Sequence, residues 1–189
     1  MSQRSNGGII GKLSLSSAAN AAGIWGMNEV QIGRASGIWP DDKFYVEDVF
    51  STFVYMGSGN TGNTQTISTG VNLSDFGGML WLKSRSGATG HRIVDSVRGT
   101  SNSLSSSNTE SQISTSNTVT AFTSTGFTIG ANAVVNTTGS TYVGWSFRKQ
   151  PKFFDVVTYT GNGQTAAQTI SHNLGSVPGM IIVCLLYTS

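Results

Sequence analysis

The sequence predicts an all-β fold: a jelly-roll-type antiparallel β-sandwich behind an irregular N-terminal arm. Three observations predict it. The first is composition. Only 11% of the 189 residues are charged, against about 25% in an ordinary soluble domain, and Ser, Thr, Asn and 24 Gly fill the gap. Thr suits pleated strands, while Gly, Asn and Ser suit turns, so few good helix-forming runs remain. The second is short-range alternation, with turn signals every few residues from Asp48 to Lys149, the pattern of a sandwich with about seven or eight short strands. The third is a repeat. Phe50–Lys83 returns as Phe154–Cys184, matching Tyr55 with Tyr159, Gly57 with Gly161, Gly59 with Gly163, Gln65–Ser68 with Gln168–Ser171, and Gly78-Met79 with Gly179-Met180. A repeat of roughly 100 residues is the size of one small β-domain, so the chain reads as tandem modules.

The same numbers bound the function. A hydrophobic content of 38% fills one sandwich core and part of another. The net charge of +2 is too small for a nucleic-acid surface, and no basic run appears. Cys184 is the lone cysteine, which rules out an internal disulfide and a Cys-rich zinc site. No stretch has the length of a membrane span or of a signal-peptide apolar core. The sequence therefore predicts a protein made in a cytoplasm, with no cofactor, no nucleic-acid partner and no membrane partner.

Residues 1–47 are read as an arm or linker. They lack strand alternation and carry Trp25 and Trp39, which would pin the arm to a neighbour. Gly7–Lys12 resembles a phosphate loop, but its spacing is one residue short and Leu13 stands where Ser or Thr should hold magnesium. Met27–Arg34 could form one or two helical turns. Residues 48–150 are read as the sandwich module. Phe50–Met56 and Thr64–Ser68 flank a Gly-Asn loop and predict a long-loop hairpin. Gly78–Arg85 is apolar on both faces at its start and reads as an inner strand. His91–Arg98 alternates, placing His91, Ile93, Asp95 and Val97 on one face. Thr100–Asn117 is nearly pure Ser, Thr, Asn and Gln: short edge strands or a loop. Val119–Thr123 and Gly126–Gly130 predict a hairpin around Ser124-Thr125-Gly126. Thr141–Lys149 puts Val143, Trp145 and Phe147 on a core face, with Tyr142, Ser146 and Arg148 on a polar one. Pro151 ends that strand. Residues 151–183 should be the start of a second, truncated copy, with strands that mimic 49–83; the alternative is that this segment joins the first sandwich as an extra edge.

Several motifs in order resemble a known family: Trp81-x-Lys83-x-Arg85, Asp95-x-x-Arg98-Gly99, Gly126-Phe127-x-x-Gly130, Tyr142-x-x-Trp145-x-Phe147-Arg148-Lys149 and His172–Met180. Together they resemble a repeated domain of unknown function in structural and tail proteins of marine bacteriophages. Ala21–Trp25 through Trp39-Pro40 is similar to a segment preceding such domains. The resemblance implies a concanavalin-type, laminin-G-like sandwich and a place in the virion, beside other virion proteins or further copies of the chain. It brings no catalytic residues with it. The end departs from this pattern. Cys184–Ser189 looks like translated adapter DNA, so residues 184–189 are read as a non-native tail on a truncated metagenomic fragment.

For catalysis the chain offers two histidines and nine carboxylates. His172 has no acid near it in sequence. His91 and Asp95 share a strand face but stand roughly 13 Å apart by strand rise. Asp75, Asp95, Glu110 and Asp155 are scattered, with no pattern making a glycosidase pair. Asn72 with Asp75 is the compact candidate for calcium. The expected function is thus a non-enzymatic virion component, a tail or tail-fibre module. The alternative is a lectin-like module recognising host surface glycans, and a polysaccharide depolymerase comes last. If Gly78–Arg85 and His91–Arg98 pair across the Ser86–Gly90 turn, Trp81, Lys83, Arg85, His91 and Asp95 gather into one patch. Tyr142 could complete it: an aromatic platform with charged hydrogen-bonders. The competing reading makes Trp81 a core residue.

Overall fold

The computed structural model describes residues 45–59, 62 and 64–184. Residues 1–44 of the N-terminal arm, with the phosphate-loop-like segment, the two tryptophans and the Met27–Arg34 turns, lie outside the described residues, as do residues 185–189.

The described chain opens on one helical turn, α1 (Val46–Val49). Asp48 closes it, accepting from the Tyr45 amide at 2.8 Å while its own amide donates back to the Tyr45 carbonyl at 3.0 Å. Among the described residues nine strands follow: β1 (Phe50–Met56), β2 (Gln65–Ser68), β3 (Gly78–Ser84), β4 (Arg92–Asp95), β5 (Asn102–Leu104), β6 (Ile113–Ser114), β7 (Val119–Thr123), β8 (Gly126–Ile129) and β9 (Thr141–Arg148). A second helical turn, α2 (Ala133–Asn136), sits between β8 and β9, capped by the Asn132 side chain on the Val134 amide. All pairings are antiparallel. They form a six-stranded sheet, β1-β9-β3-β4-β5-β6, and a three-stranded sheet, β2-β8-β7. The chain is an all-β sandwich, as composition and alternation predict.

The core lies between the sheets. Tyr55, Leu80, Leu82, Val94 and Tyr142 come from the large sheet, and Ile67, Val119, Phe127 and Ile129 from the small one. Phe53 meets Phe127 across the gap at 5.4 Å between ring centroids. Removing one such side chain from water contributes about 1.5–3 kcal/mol, so these residues fix which face of each strand turns inward.

Three expectations are corrected here. Phe50–Met56 and Thr64–Ser68 do not form a hairpin. β1 pairs with β9 and β2 pairs with β8, in different sheets. The loop after Met56 crosses between layers because Gly57 is held against the α2–β9 turn. The Gly57 amide donates to the Ser140 carbonyl at 2.9 Å, and Gly139 donates to the Gly57 carbonyl at 3.1 Å. The faces of β9 are inverted: Tyr142, Gly144 and Ser146 are buried, while Val143, Trp145 and Phe147 face outward, partly buried. The small residues make room, since a Cβ at Gly144 would collide with Phe53 and Leu82. Finally, residues 155–184 contain no strand, and Gln150–Phe154 is an isolated bridge. β1 and β3 owe their ladders to β9 and β4. Their repeats have no such neighbours among the described residues, and unpaired extended backbone does not persist as sheet.

Candidate functional site

Because Leu80, Leu82 and Ser84 of β3 turn inward, Met79, Trp81 and Lys83 turn outward, each partly buried. Register carries this across the sheet. Trp81 stands opposite Trp145 of β9 and Ile93 of β4, Trp145 opposite Thr52, and Ile93 opposite Leu104. One row thus runs Thr52–Trp145–Trp81–Ile93–Leu104 over five strands on the outer face. Trp81 and Trp145 meet edge to face, 6.0 Å between centroids at 66°, the favoured geometry for aromatic pairs. Beside this row, on β1, Val54 and Met56 are 64% and 60% exposed.

His91 orients the Trp81 indole. The indole Nε1–H donates to His91 Nδ1 at 2.8 Å. A ring nitrogen that accepts carries no proton, so the neutral imidazole holds its proton on Nε2. Burial lowers the His91 pKa below its ordinary value, and the nearby Lys83 charge lowers it further. The bond to Trp81 and the neutral ring therefore support each other. Lys83 closes the β3–β4 turn, its ammonium donating to the Ser84 carbonyl at 2.6 Å and the Gly87 carbonyl at 3.3 Å.

The structure thus brings Trp81, Lys83 and His91 together, on the β3–β4 pairing that the sequence predicts. Arg85 follows at the end of β3 and is exposed, its amide donating to the Thr141 carbonyl at 2.8 Å. The other two candidates are structural. Asp95 is buried at the end of β4, where its carboxylate accepts from the Val97 and Arg98 amides, both at 2.9 Å, and ion-pairs with the Arg98 guanidinium. Tyr142 is 1% exposed on the inner face. It stacks on Tyr55 at 5.0 Å, and its hydroxyl accepts from the Thr137 amide at 3.0 Å. It cannot reach a ligand on the outer face, and Trp145, read as core, takes its place there. The signal for Trp145 was available in its own strand: Gly144 and Ser146 are too small to be a solvent-facing platform and fit instead beneath larger neighbours.

The Asn72–Asp75 pair is a self-satisfied turn. Asn72 Nδ2 donates to Asp75 Oδ2 at 2.8 Å, and Ser74 Oγ donates to Asp75 Oδ1 at 3.0 Å. These bonds, Asn72 first, hold the Asp75 pKa below its ordinary value. Among the described residues no group of three or more His, Cys, Asp or Glu is placed to hold a metal ion, and no helix is long and apolar enough to cross a membrane.

Fold and surface together define a two-sheet antiparallel module with an aromatic outer face. The chain belongs to the family described as a domain of unknown function, DUF7483, whose match spans residues 46–188 and so covers both the sandwich and the segment after it. No curated protein and no solved structure matches the chain.

Proposed function

We propose that this chain is a non-enzymatic structural component of a phage virion, a tail or tail-fibre module that assembles through the outer face of its six-stranded sheet. The observation that carries the reading is the row Thr52–Trp145–Trp81–Ile93–Leu104, flanked by exposed Val54 and Met56. A contiguous apolar surface rimmed by polar groups is characteristic of an interaction site, and Trp and Met are enriched in interface cores. The tail-protein resemblance of the motifs from Trp81 to Lys149 supports the virion setting. Labelled antibody against the native protein should decorate purified particles. Label confined to host cells overturns the proposal.

A second reading is a lectin-like module for host surface glycans. The observation favouring it is the Trp81–His91 pair, which fixes an aromatic ring beside a free-standing imidazole N–H and the Lys83 turn. Sugar sites combine such a platform with a few placed hydrogen-bonders. A glycan array carrying bacterial polysaccharides tests it: binding lost in Trp81→Ala supports this reading, and silence across the array removes it.

A further inference from the structure

The segment after the sandwich is composed for surroundings that it does not have among the described residues. At Gly57 a Cβ would collide with the Thr137 carbonyl, and at Gly78 with the Phe147 carbonyl. Both collisions come from the α2–β9 part of the module. The repeat keeps glycine at both places, Gly161 and Gly179. Yet nothing lies within 4 Å of a Cβ built at either one, and neither has a positive φ. Neither a neighbouring atom nor a positive φ requires glycine at these two positions.

The apolar residues tell the same story. Tyr55, Leu80 and Leu82 are core residues, 9%, 0% and 1% exposed. Their repeats Tyr159, Ile181 and Val183 are 53%, 73% and 68% exposed. Topology names the missing neighbour. β9 lies between β1 and β3, so the repeats of β1 and β3 cannot complete a sheet by pairing with each other.

We propose that Phe154–Cys184 is the first half of a second sandwich, and that its open slot accepts one occupant: the second half of this same fold, a segment of the α2–β9 type. Its β9-like strand inserts between the repeats of β1 and β3. There its backbone occupies the space left at Gly161 and Gly179. This inference is independent of the virion proposal, since it concerns only how the segment is completed.

The test extends the full chain. Residues 1–183 are followed directly by a copy of residues 83–149, the order found in the first module, and hydrogen exchange is read by mass spectrometry. Amides of 157–160 and 179–183 should exchange freely in the 189-residue chain and become protected in the extended one. Gly161→Val and Gly179→Val should leave the 189-residue chain unchanged but abolish that protection. Protection that survives both substitutions overturns the proposal. If the extension stays unprotected, a second chain decides: residues 50–82 replaced by 154–183. Cooperative folding of that replacement supports the proposal, and its failure to fold overturns it.

Discussion

Replacing Tyr142 with Phe separates a core role from a ligand role more cleanly than truncation does. The substitution keeps the ring and its 5.0 Å stack on Tyr55, so no cavity opens. It removes the hydroxyl that accepts from the Thr137 amide at 3.0 Å and donates to the Ala133 carbonyl at 3.3 Å. The second bond is long and contributes little. The first leaves a partly buried amide without its acceptor, a loss of about 1–2 kcal/mol. For a domain of this size that lowers the melting temperature by roughly 3–6 °C. Tyr142→Ala adds a cavity and should cost about 3–5 kcal/mol. Arg85→Ala, exposed at the end of β3, should stay within about 0.5 kcal/mol of the parent. Differential scanning calorimetry on the three variants gives the ordering. A Tyr142→Phe protein that melts like the parent while losing binding or particle incorporation would refute the placement of Tyr142 inside the core.

Other outcomes follow from the same geometry. In an NMR titration His91 should take up its proton below the ordinary histidine value of 6.5, because burial and Lys83 both oppose the cation. A depressed pKa makes the folded state bind fewer protons than the unfolded one, so this contribution is present above about pH 6.5 and is lost as pH falls through the folded value. The Trp81 indole N–H resonance should shift with it, and a Trp81 signal indifferent to His91 titration counts against their bond. At the alkaline end, burial and then Tyr142 push the Tyr55 hydroxyl well above its ordinary 10.0. Stability from this group is whole below about pH 10 and declines as pH rises above it. Tyr55→Phe should flatten that decline in urea midpoints measured from pH 9 to 11, at the expense of the 2.9 Å bond to the Val135 carbonyl. In the 189-residue chain Gly57→Val and Gly78→Val should each abolish cooperative unfolding by circular dichroism, because the colliding atoms are backbone of α2–β9.

Local chemistry made parts of the fold legible. The Ser124–Gly126 turn marks the β7–β8 hairpin, and alternation around Ser86–Gly90 marks the β3–β4 pair, both as formed. Trp81, Lys83 and His91 gather because that pairing was readable. What alternation does not encode is which of two faces meets the other sheet. On β9 the polar-looking face is the inner one. Ser146 hands its hydroxyl to the Ser51 carbonyl at 3.5 Å, Gly144 yields to Phe53, and Tyr142 finds partners in α2. These compensations come from residues distant in sequence, so the strand itself carries only the small size of Gly144 and Ser146 as a trace of them. Nor does a Gly-Asn loop disclose whether it turns back into its own sheet or crosses to the next. Asp95 differs, because its partners Val97 and Arg98 are local. The Asp-x-x-Arg spacing carries the signal of a closed turn there, although the sequence reading places Asp95 in the ligand patch.

A binding role for the outer face around Trp81 and Trp145, in place of a core role, is what the virion proposal requires. It is tested most directly by melting temperature and copy number per purified particle, measured side by side for Trp81→Ala, Trp145→Ala and Leu82→Ala. Truncating either tryptophan removes partly exposed cross-strand contacts of about 0.2–1 kcal/mol each, and Trp81→Ala also loses the bond to His91, about 0.5–1.5 kcal/mol. Leu82→Ala hollows the core for about 2–5 kcal/mol. The expected result is two folded tryptophan variants that fall to background in particles. Tryptophan variants that unfold as readily as Leu82→Ala, or that fold and are incorporated like the parent, would contradict it.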